Sequence, residues 1–281
     1  MIPSEFDYTV PASLEEAIGA LSQGGEDAKL LAGGHSLLPL MKLRLAAPTL
    51  LVDMRNVPGL RGVQRENGTI RIGAMTPHAE LEDDAELGLL SEAAGLIADR
   101  QVRHRGTVGG SLAHGDPASD LPAVMLATEA SVTAQGAGGQ REIPAAELFQ
   151  DYLTTSLAPD EVLTEIRVPA LEGYSYGYEK FTRRAEDWAM VGVAALVSVR
   201  DGACEDIRVG LTHMGSTALR ATAVEEALRG QPLDADGIAR AAELADEATD
   251  PPGDLNATSD YKRHLARVLT RRALHKAAGL S

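Results

Sequence analysis

The 281 residues carry 26 Lys+Arg against 41 Asp+Glu, a formal net charge of −15 at pH 7, with 44% hydrophobic and 24% charged residues. This balance excludes wholesale disorder and fibrous architectures, and supplies apolar surface for one large or two to three small domains. It also argues against a nucleic-acid partner, since phosphate backbones are bound by basic surfaces.

Ser13 and Glu16, placed before Ala17, Ile18 and Leu21, have the spacing of a capping box and predict a helix over 13–23. Gly24-Gly25 stops it. Residues 29–32 then read as a buried strand that ends abruptly at Gly33-Gly34, and 49–53 and 69–74 read as further strands. Thr76 is expected to cap a helix opened by Pro77, with 91–99 continuing as helix. After residues 101–105 comes a second glycine turn, Gly106-Thr107-Val108-Gly109-Gly110, and then a helix from Asp120 to Ala127. Strands near 130–135 and 162–168 close this region, and Pro169 and Gly173 mark a boundary near 170.

Beyond it, 174–182 and 189–213 read as antiparallel strands, with Asp201-Gly202 supplying the positive φ of a tight hairpin. Two helices are expected to follow. The last, over 257–278, carries Lys262, Arg263, Arg267, Arg271, Arg272 and Lys276 against Asp260 alone, a basic stripe open to two readings: solvated face or docking face for an acidic neighbour. Cys204 is the only cysteine, so the chain can form no internal disulfide and cannot by itself ligate an iron–sulfur cluster. No apolar run approaches the ~20 residues that span a bilayer, and the N-terminus lacks a signal-peptide pattern, so the cytoplasm is the expected location.

The chemistry-bearing signal lies in the two glycine turns. Backbone stripped of side chains can bring amides close to one anion, and the hydroxyl residues Ser36 and Ser111 follow the turns directly. Taken singly, each turn is more simply structural; as a pair they suggest a bipartite dinucleotide site. Neither has the Rossmann spacing, and there is no Walker A motif. His35 and His114 sit in the two loops and invite an acid or base role, against the plainer reading that loop histidines mostly satisfy backbone, and Trp188 fits a shielding role, a core role or an interface role. Asp116 is expected to start a turn before Pro117.

Ala32-Gly33-Gly34-His35-Ser36-Leu37-Leu38-Pro39, Thr107-Val108-Gly109-Gly110-Ser111 and Asp116-Pro117-Ala118-Ser119-Asp120-Leu121-Pro122 together resemble the FAD-binding medium subunit of molybdenum hydroxylases, carbon monoxide dehydrogenases above all. Glu179-Lys180-Phe181, Asp187-Trp188, Met214-Gly215 and Arg220-Ala221 extend the resemblance over nearly the whole chain. It implies an α+β fold of the PCMH and vanillyl-alcohol oxidase type, with FAD-binding subdomains over 1–55 and 56–172 and a C-terminal α+β domain over 173–281. It further implies that Leu31, Ala32, Gly33, Gly34, His35, Ser36, Leu37 and Leu38 hold the diphosphate of a noncovalent FAD together with Thr107, Val108, Gly109, Gly110 and Ser111. Asp120 would bond a sugar or ribityl hydroxyl, Leu163 would pack by the flavin, Lys180 would lie near it, and Ile97 would be an apolar contact. No residue is assigned to catalysis and none to a metal. The molybdenum cofactor and [2Fe-2S] clusters would sit on a large and a small partner subunit, with electrons leaving FAD for quinone or NAD. Ser111 departs from the asparagine of many relatives, and Ala218 from a common proline. A self-sufficient flavin oxidase of the same fold and a non-enzymatic scaffold remain the rival readings.

Overall fold

A computed structural model describes residues 2–280. The chain begins with β1 (Asp7–Thr9), α1 (Leu14–Gly24), β2 (Ala28–Leu31), α2 (Leu37–Leu43) and β3 (Leu50–Asp53). The three strands form a parallel sheet in the order β1-β3-β2. Ser13 Oγ accepts the Glu16 N–H at 3.2 Å, and the Glu16 carboxylate reaches back to the N–H of Ala12 at 2.8 Å, one residue earlier than a standard capping box. Ala17, Ile18 and Leu21 recur on one face of α1 and bury against Ala28 and Val52, giving this region its own small core.

The middle of the chain runs β4 (Val63–Glu66), β5 (Thr69–Gly73), α3 (His78–Glu82), α4 (Leu89–Gly95), α5 (Arg100–Arg103), α6 (Val108–His114), α7 (Asp120–Ala127), β6 (Ser131–Gly136), β7 (Gly139–Pro144), α8 (Ala145–Leu148), β8 (Phe149–Asp151), β9 (Thr154–Thr155) and β10 (Val162–Pro169). Five of its strands form an antiparallel sheet in the order β4-β5-β10-β6-β7. Every residue of α7 is buried, because the helix is apolar all round and lies between α4 and the C-terminal sheet. The last region comprises β11 (Tyr174–Phe181), β12 (Val191–Arg200), β13 (Ala203–Thr212), β14 (Leu219–Arg220), α9 (Thr222–Leu228), α10 (Ala235–Ala242) and α11 (Ser259–Ala277). Its antiparallel sheet is ordered β11-β12-β13-β14, and Asp201 and Gly202 both take positive φ at the β12–β13 hairpin, as expected of a type I′ turn. Gly210 of β13 has no room for a Cβ, which would strike the Ala123 carbonyl of α7, so the two regions meet backbone to side-chain-free backbone.

Several expectations are corrected. Thr76 caps no helix: its hydroxyl accepts the Gly62 N–H at 2.9 Å, and Pro77 occupies the N-cap position of α3. The helix expected over 91–99 ends at Gly95, and Ala98 adopts a positive φ. The second glycine motif is not a turn but the first turn of α6, because Thr107 caps it and the glycines leave the helix free to approach its neighbour closely. Three helices rather than two follow β14. The basic stripe on α11 is mostly spoken for within the molecule. Lys262 is fully buried on Asp254, Arg263 donates to the Thr249 carbonyl at 2.8 Å, and Lys276 meets Glu92. Only Arg271 and Arg272 lack a carboxylate partner among the described residues. No helix among the described residues is long and apolar enough to cross a membrane.

Candidate functional site

The two glycine motifs, far apart in the chain, meet in space. A Cβ on Gly33 would collide with the Arg105 carbonyl and come within 2.7 Å of Gly106 Cα, while one on Gly110 would lie 3.5 Å from Ala32 Cβ. Their junction borders a cleft of about 570 Å³. The cleft runs between the parallel sheet, the five-stranded sheet with its helices, and the start of the C-terminal region.

The two arms are built differently. In the first, β2 ends at Leu31 and the chain turns through Gly34, at φ +79°, into α2. Among the described residues, none of the backbone N–H groups of Gly33, Gly34, His35, Ser36 and Leu37 has a protein acceptor; helix bonding begins with the Leu38 N–H on the Gly34 carbonyl at 3.0 Å. Consecutive unpaired amides at a strand-to-helix turn make an anion-binding concavity. In the second arm those donors are consumed. The Val108 N–H bonds the Thr76 carbonyl at 3.0 Å, the Gly109 N–H bonds the Ala74 carbonyl at 2.9 Å, and the Gly110 N–H bonds Thr107 Oγ1 at 3.2 Å. A Cβ on Gly109 would lie 2.5 Å from Ala74 Cβ, which is why this helix can press against Ala74, just past β5, only with glycine there. Thus the second arm brings Thr107, Ser111 and the capped first turn of α6 to the cleft, rather than an arc of free amides.

The remaining assigned residues divide cleanly. Ala32, Gly33, Gly34, His35, Ser36, Leu37, Ile97, Thr107, Gly109, Gly110, Ser111, Asp120, Leu163 and Lys180 line the cleft. Leu31 and Leu38 instead pack about Gly34, and Val108 is wholly buried in the central core. Asp120, at the first turn of α7, is buried; Oδ1 accepts the Tyr178 hydroxyl at 2.7 Å and Oδ2 accepts the Lys180 ammonium at 2.9 Å. Lys180 also donates to the Leu96 carbonyl at 2.8 Å. Burial pushes the Asp120 carboxyl up from the ordinary carboxylate range, opposed chiefly by the Lys180 charge. The same burial, together with Asp120, drives the Tyr178 hydroxyl well above its usual value. Lys180 is therefore held by a carboxylate and a carbonyl, and its charge reaches the cleft as part of a neutral pair.

Sequence reasoning missed Tyr178, although the period of two along β11 sets it on the same face as Lys180. It also missed His78, which lines the cleft beneath the second arm. The His78 N–H bonds the Gly106 carbonyl at 3.0 Å, its ring is buried with Nδ1 lacking any partner, and desolvation lowers its pKa to about 4, so it is neutral at pH 7. Its spacing from any motif gives no signal. His114, at the end of α6, also lines the cleft, and burial lowers its pKa. Asp116 starts a turn as expected, accepting the Ala118 N–H at 2.9 Å. Cys204 is buried in β13 with its thiol pushed up to about 11, an unreactive strand residue. The rim includes the loop of Leu157, Ala158 and Pro159, and, from the C-terminal region, Glu186, Asp187 and the 55% exposed Trp188.

A dinucleotide fits these features: unpaired amides and hydroxyls for a diphosphate, a buried orphan imidazole nitrogen beside them, and an apolar stretch at Ile97 and Leu163 for a ring. Residues 4–171 match the FAD binding domain in molybdopterin dehydrogenase, and residues 176–277 match the CO dehydrogenase flavoprotein C-terminal domain. The chain belongs to the FAD-binding subunits of the molybdopterin dehydrogenases, an α+β family of oxidoreductase components. It is 44% identical to the carbon monoxide dehydrogenase medium chain of Hydrogenophaga pseudoflava, over 99% of this chain and 98% of that one. It is 42% identical to the 6-hydroxypseudooxynicotine dehydrogenase complex subunit alpha of Paenarthrobacter nicotinovorans, over 99% and 96%. Its structure superposes with a TM-score of 0.97 and 46% identity on a solved carbon monoxide dehydrogenase from Hydrogenophaga pseudoflava that lacks the Mo-pyranopterin moiety, covering 100% of this chain and 99% of that one.

Proposed function

We propose that this chain is the electron-transfer flavoprotein subunit of a molybdenum hydroxylase complex, binding FAD without a covalent bond. Gly33 to Leu37 would receive the diphosphate on their five free amides, with Ser36 and Ser111 adding hydroxyl donors. The Thr107 cap and the Thr76 and Ala74 carbonyls hold the second arm rigid, so little ordering is required on binding. Asp120 keeps spare lone pairs beside the cleft for a sugar or ribityl hydroxyl, and Lys180, neutralised by it, stays fixed at 2.9 Å. Ile97 and Leu163, on the cleft wall, would pack by the ring and exclude water from it. When bound, flavin supplies one- and two-electron chemistry; the protein's part is binding, orientation and electrostatics.

The single observation that carries the reading is the arc of unpaired amides at 33–37 facing the Thr107–Ser111 arm across one cleft. The lone buried cysteine supports a division of labour in which [2Fe-2S] clusters sit on a small subunit and the molybdenum cofactor on a large one. Electrons would enter from the clusters and leave to quinone or NAD, and the assembly would be cytoplasmic, with subdomains over 1–55, 56–172 and 173–281. The test is FAD titration of the purified chain, followed by mixing with an iron–sulfur subunit and a reductant. Saturable FAD uptake and bleaching of the flavin only when that subunit is present are expected. Turnover of a small alcohol by the isolated chain would instead identify a self-sufficient oxidase, and failure to take up FAD would identify a scaffold.

A further inference from the structure

The C-terminal region holds a charged cluster outside the cleft that the electron-transfer reading does not use. Lys262, on α11, is fully buried, and its ammonium donates to Asp254 Oδ2 at 2.7 Å and to His213 Nε2 at 3.1 Å. An ammonium has no lone pair, so Nε2 must accept and the ring proton resides on Nδ1. Nδ1 lies 2.8 Å from the Ala189 carbonyl oxygen and donates to it. The backbone N–H of His213 bonds the Pro117 carbonyl at 2.8 Å, and the residue is held at φ +63°, a left-handed conformation unfavourable to most residues other than glycine, asparagine and aspartate. Strain of this kind persists only where surrounding contacts over-determine it. Asp254 is fixed in its turn by the N–H groups of Asn256 and Ala257 on Oδ1, at 2.7 and 2.9 Å.

The contacts of this one residue, one from its backbone and one from its ring, lead to the cleft from two sides. Pro117 opens the turn that delivers Ser119 and Asp120 to the cleft wall, and Ala189 directly follows Trp188 at its rim. Ala189 is buried, whereas Arg183, Arg184 and Trp188 are exposed; the backbone on either side of the indole is anchored by the Asp187 N–H on the Arg184 carbonyl at 3.0 Å, the Met190 N–H on the Phe181 carbonyl at 2.9 Å and the Ala189 carbonyl on the imidazole, the last being the one of the three that a side chain of the C-terminal core supplies. A side chain exposed on a rim is placed largely by the backbone that flanks it.

We propose that His213 is a positioning residue: carried by Lys262 and Asp254 in a single tautomer, it pins the Ala189 carbonyl and thereby sets Trp188 at the rim of the flavin cleft, coupling the C-terminal core to cofactor binding. This rests on the flavin reading only for its second half; the tether itself does not require FAD. The sole tryptophan makes it measurable. Asparagine tolerates the left-handed backbone yet is too short to span Lys262 and Ala189, so His213→Asn removes the bridge without adding strain. Acrylamide quenching of Trp188 is measured without FAD, and then FAD affinity and FAD-induced quenching of Trp188 are measured, on the full chain, on His213→Asn and on the α11 core control Leu265→Ala.

His213→Asn is expected to raise acrylamide access to Trp188 and to weaken FAD binding roughly five-fold or more, the low end of ordinary site-to-site coupling. Leu265→Ala should lower the melting temperature and move neither signal. A folded His213→Asn with unchanged Trp188 quenching overturns the proposal, as does an equal change in Leu265→Ala. If His213→Asn does not fold, Lys262→Met, which removes the support and keeps the imidazole, is read in the same way. Absence of FAD uptake by the wild type would sink the flavin reading, while the acrylamide comparison would still decide the tether.

Discussion

The two glycine arms look alike as letters and behave as opposites in the fold. At 33–37 five successive N–H groups are left without acceptors, and at 108–110 three are taken up by Thr76, Ala74 and Thr107. One arm keeps its donors free and the other spends them on rigidity. The lesson is that paired Gly-Gly motifs need not do the same work: Gly33 and Gly34 let the chain turn and expose donors, whereas Gly109 lets a helix press onto Ala74.

The largest effect that can break this contrast comes from Gly33→Val. The new side chain collides with the Arg105 carbonyl and Gly106, forces the arms apart and displaces the free amides; at least ~100-fold weaker FAD binding is expected, about 3 kcal/mol. Flavin fluorescence titration checks it, and near-native affinity would dissolve the distinction. Next in size is the acid response of His78 beneath the second arm. Its pKa is lowered from 6.5 to about 4, so the folded state keeps the ring neutral while the unfolded chain protonates it. Stability is then full above 6.5 and falls as the pH drops towards 4, by up to about 3 kcal/mol. Chemical denaturation across that window should show the loss, and His78→Phe should flatten it.

Smaller again, Gly109→Ala should act on stability before affinity. Its Cβ overpacks Ala74, costing about 1–3 kcal/mol, and any loss of FAD affinity should be slight beside that of Gly33→Val. Thr107→Val is the mildest. It removes the hydroxyl that caps α6 and frees the Gly110 N–H, lowering stability by about 1 kcal/mol. A loss of FAD affinity from Thr107→Val as large as from Gly33→Val would mean that the arms share one task after all. A site on Gly110 itself is less informative, because a branched side chain there meets Thr107 Oγ1 first and disturbs the cap together with any ligand.

Local rules in the amino-acid order carried a good part of this molecule. The Ser13 cap, the apolar face of α1, the bounds of α7 and the Asp201-Gly202 hairpin all follow from interactions within a few residues, where propensity and periodicity act directly. The motif residues that meet at the cleft were also legible, since side-chain-poor backbone is visible as composition. What remained hidden depends on partners distant in the chain. Thr76 became a tether to Gly62 rather than a cap, and the amides of Val108 and Gly109 found the carbonyls of Thr76 and Ala74. Lys262 left an apparently solvated stripe for a buried seat on Asp254 and His213, and Asp120 was claimed by Tyr178 and Lys180. A donor or a charge carries no local record of which acceptor will be in reach once burial withdraws water. That choice is made by tertiary packing alone, and it decides which glycine arm is free to bind.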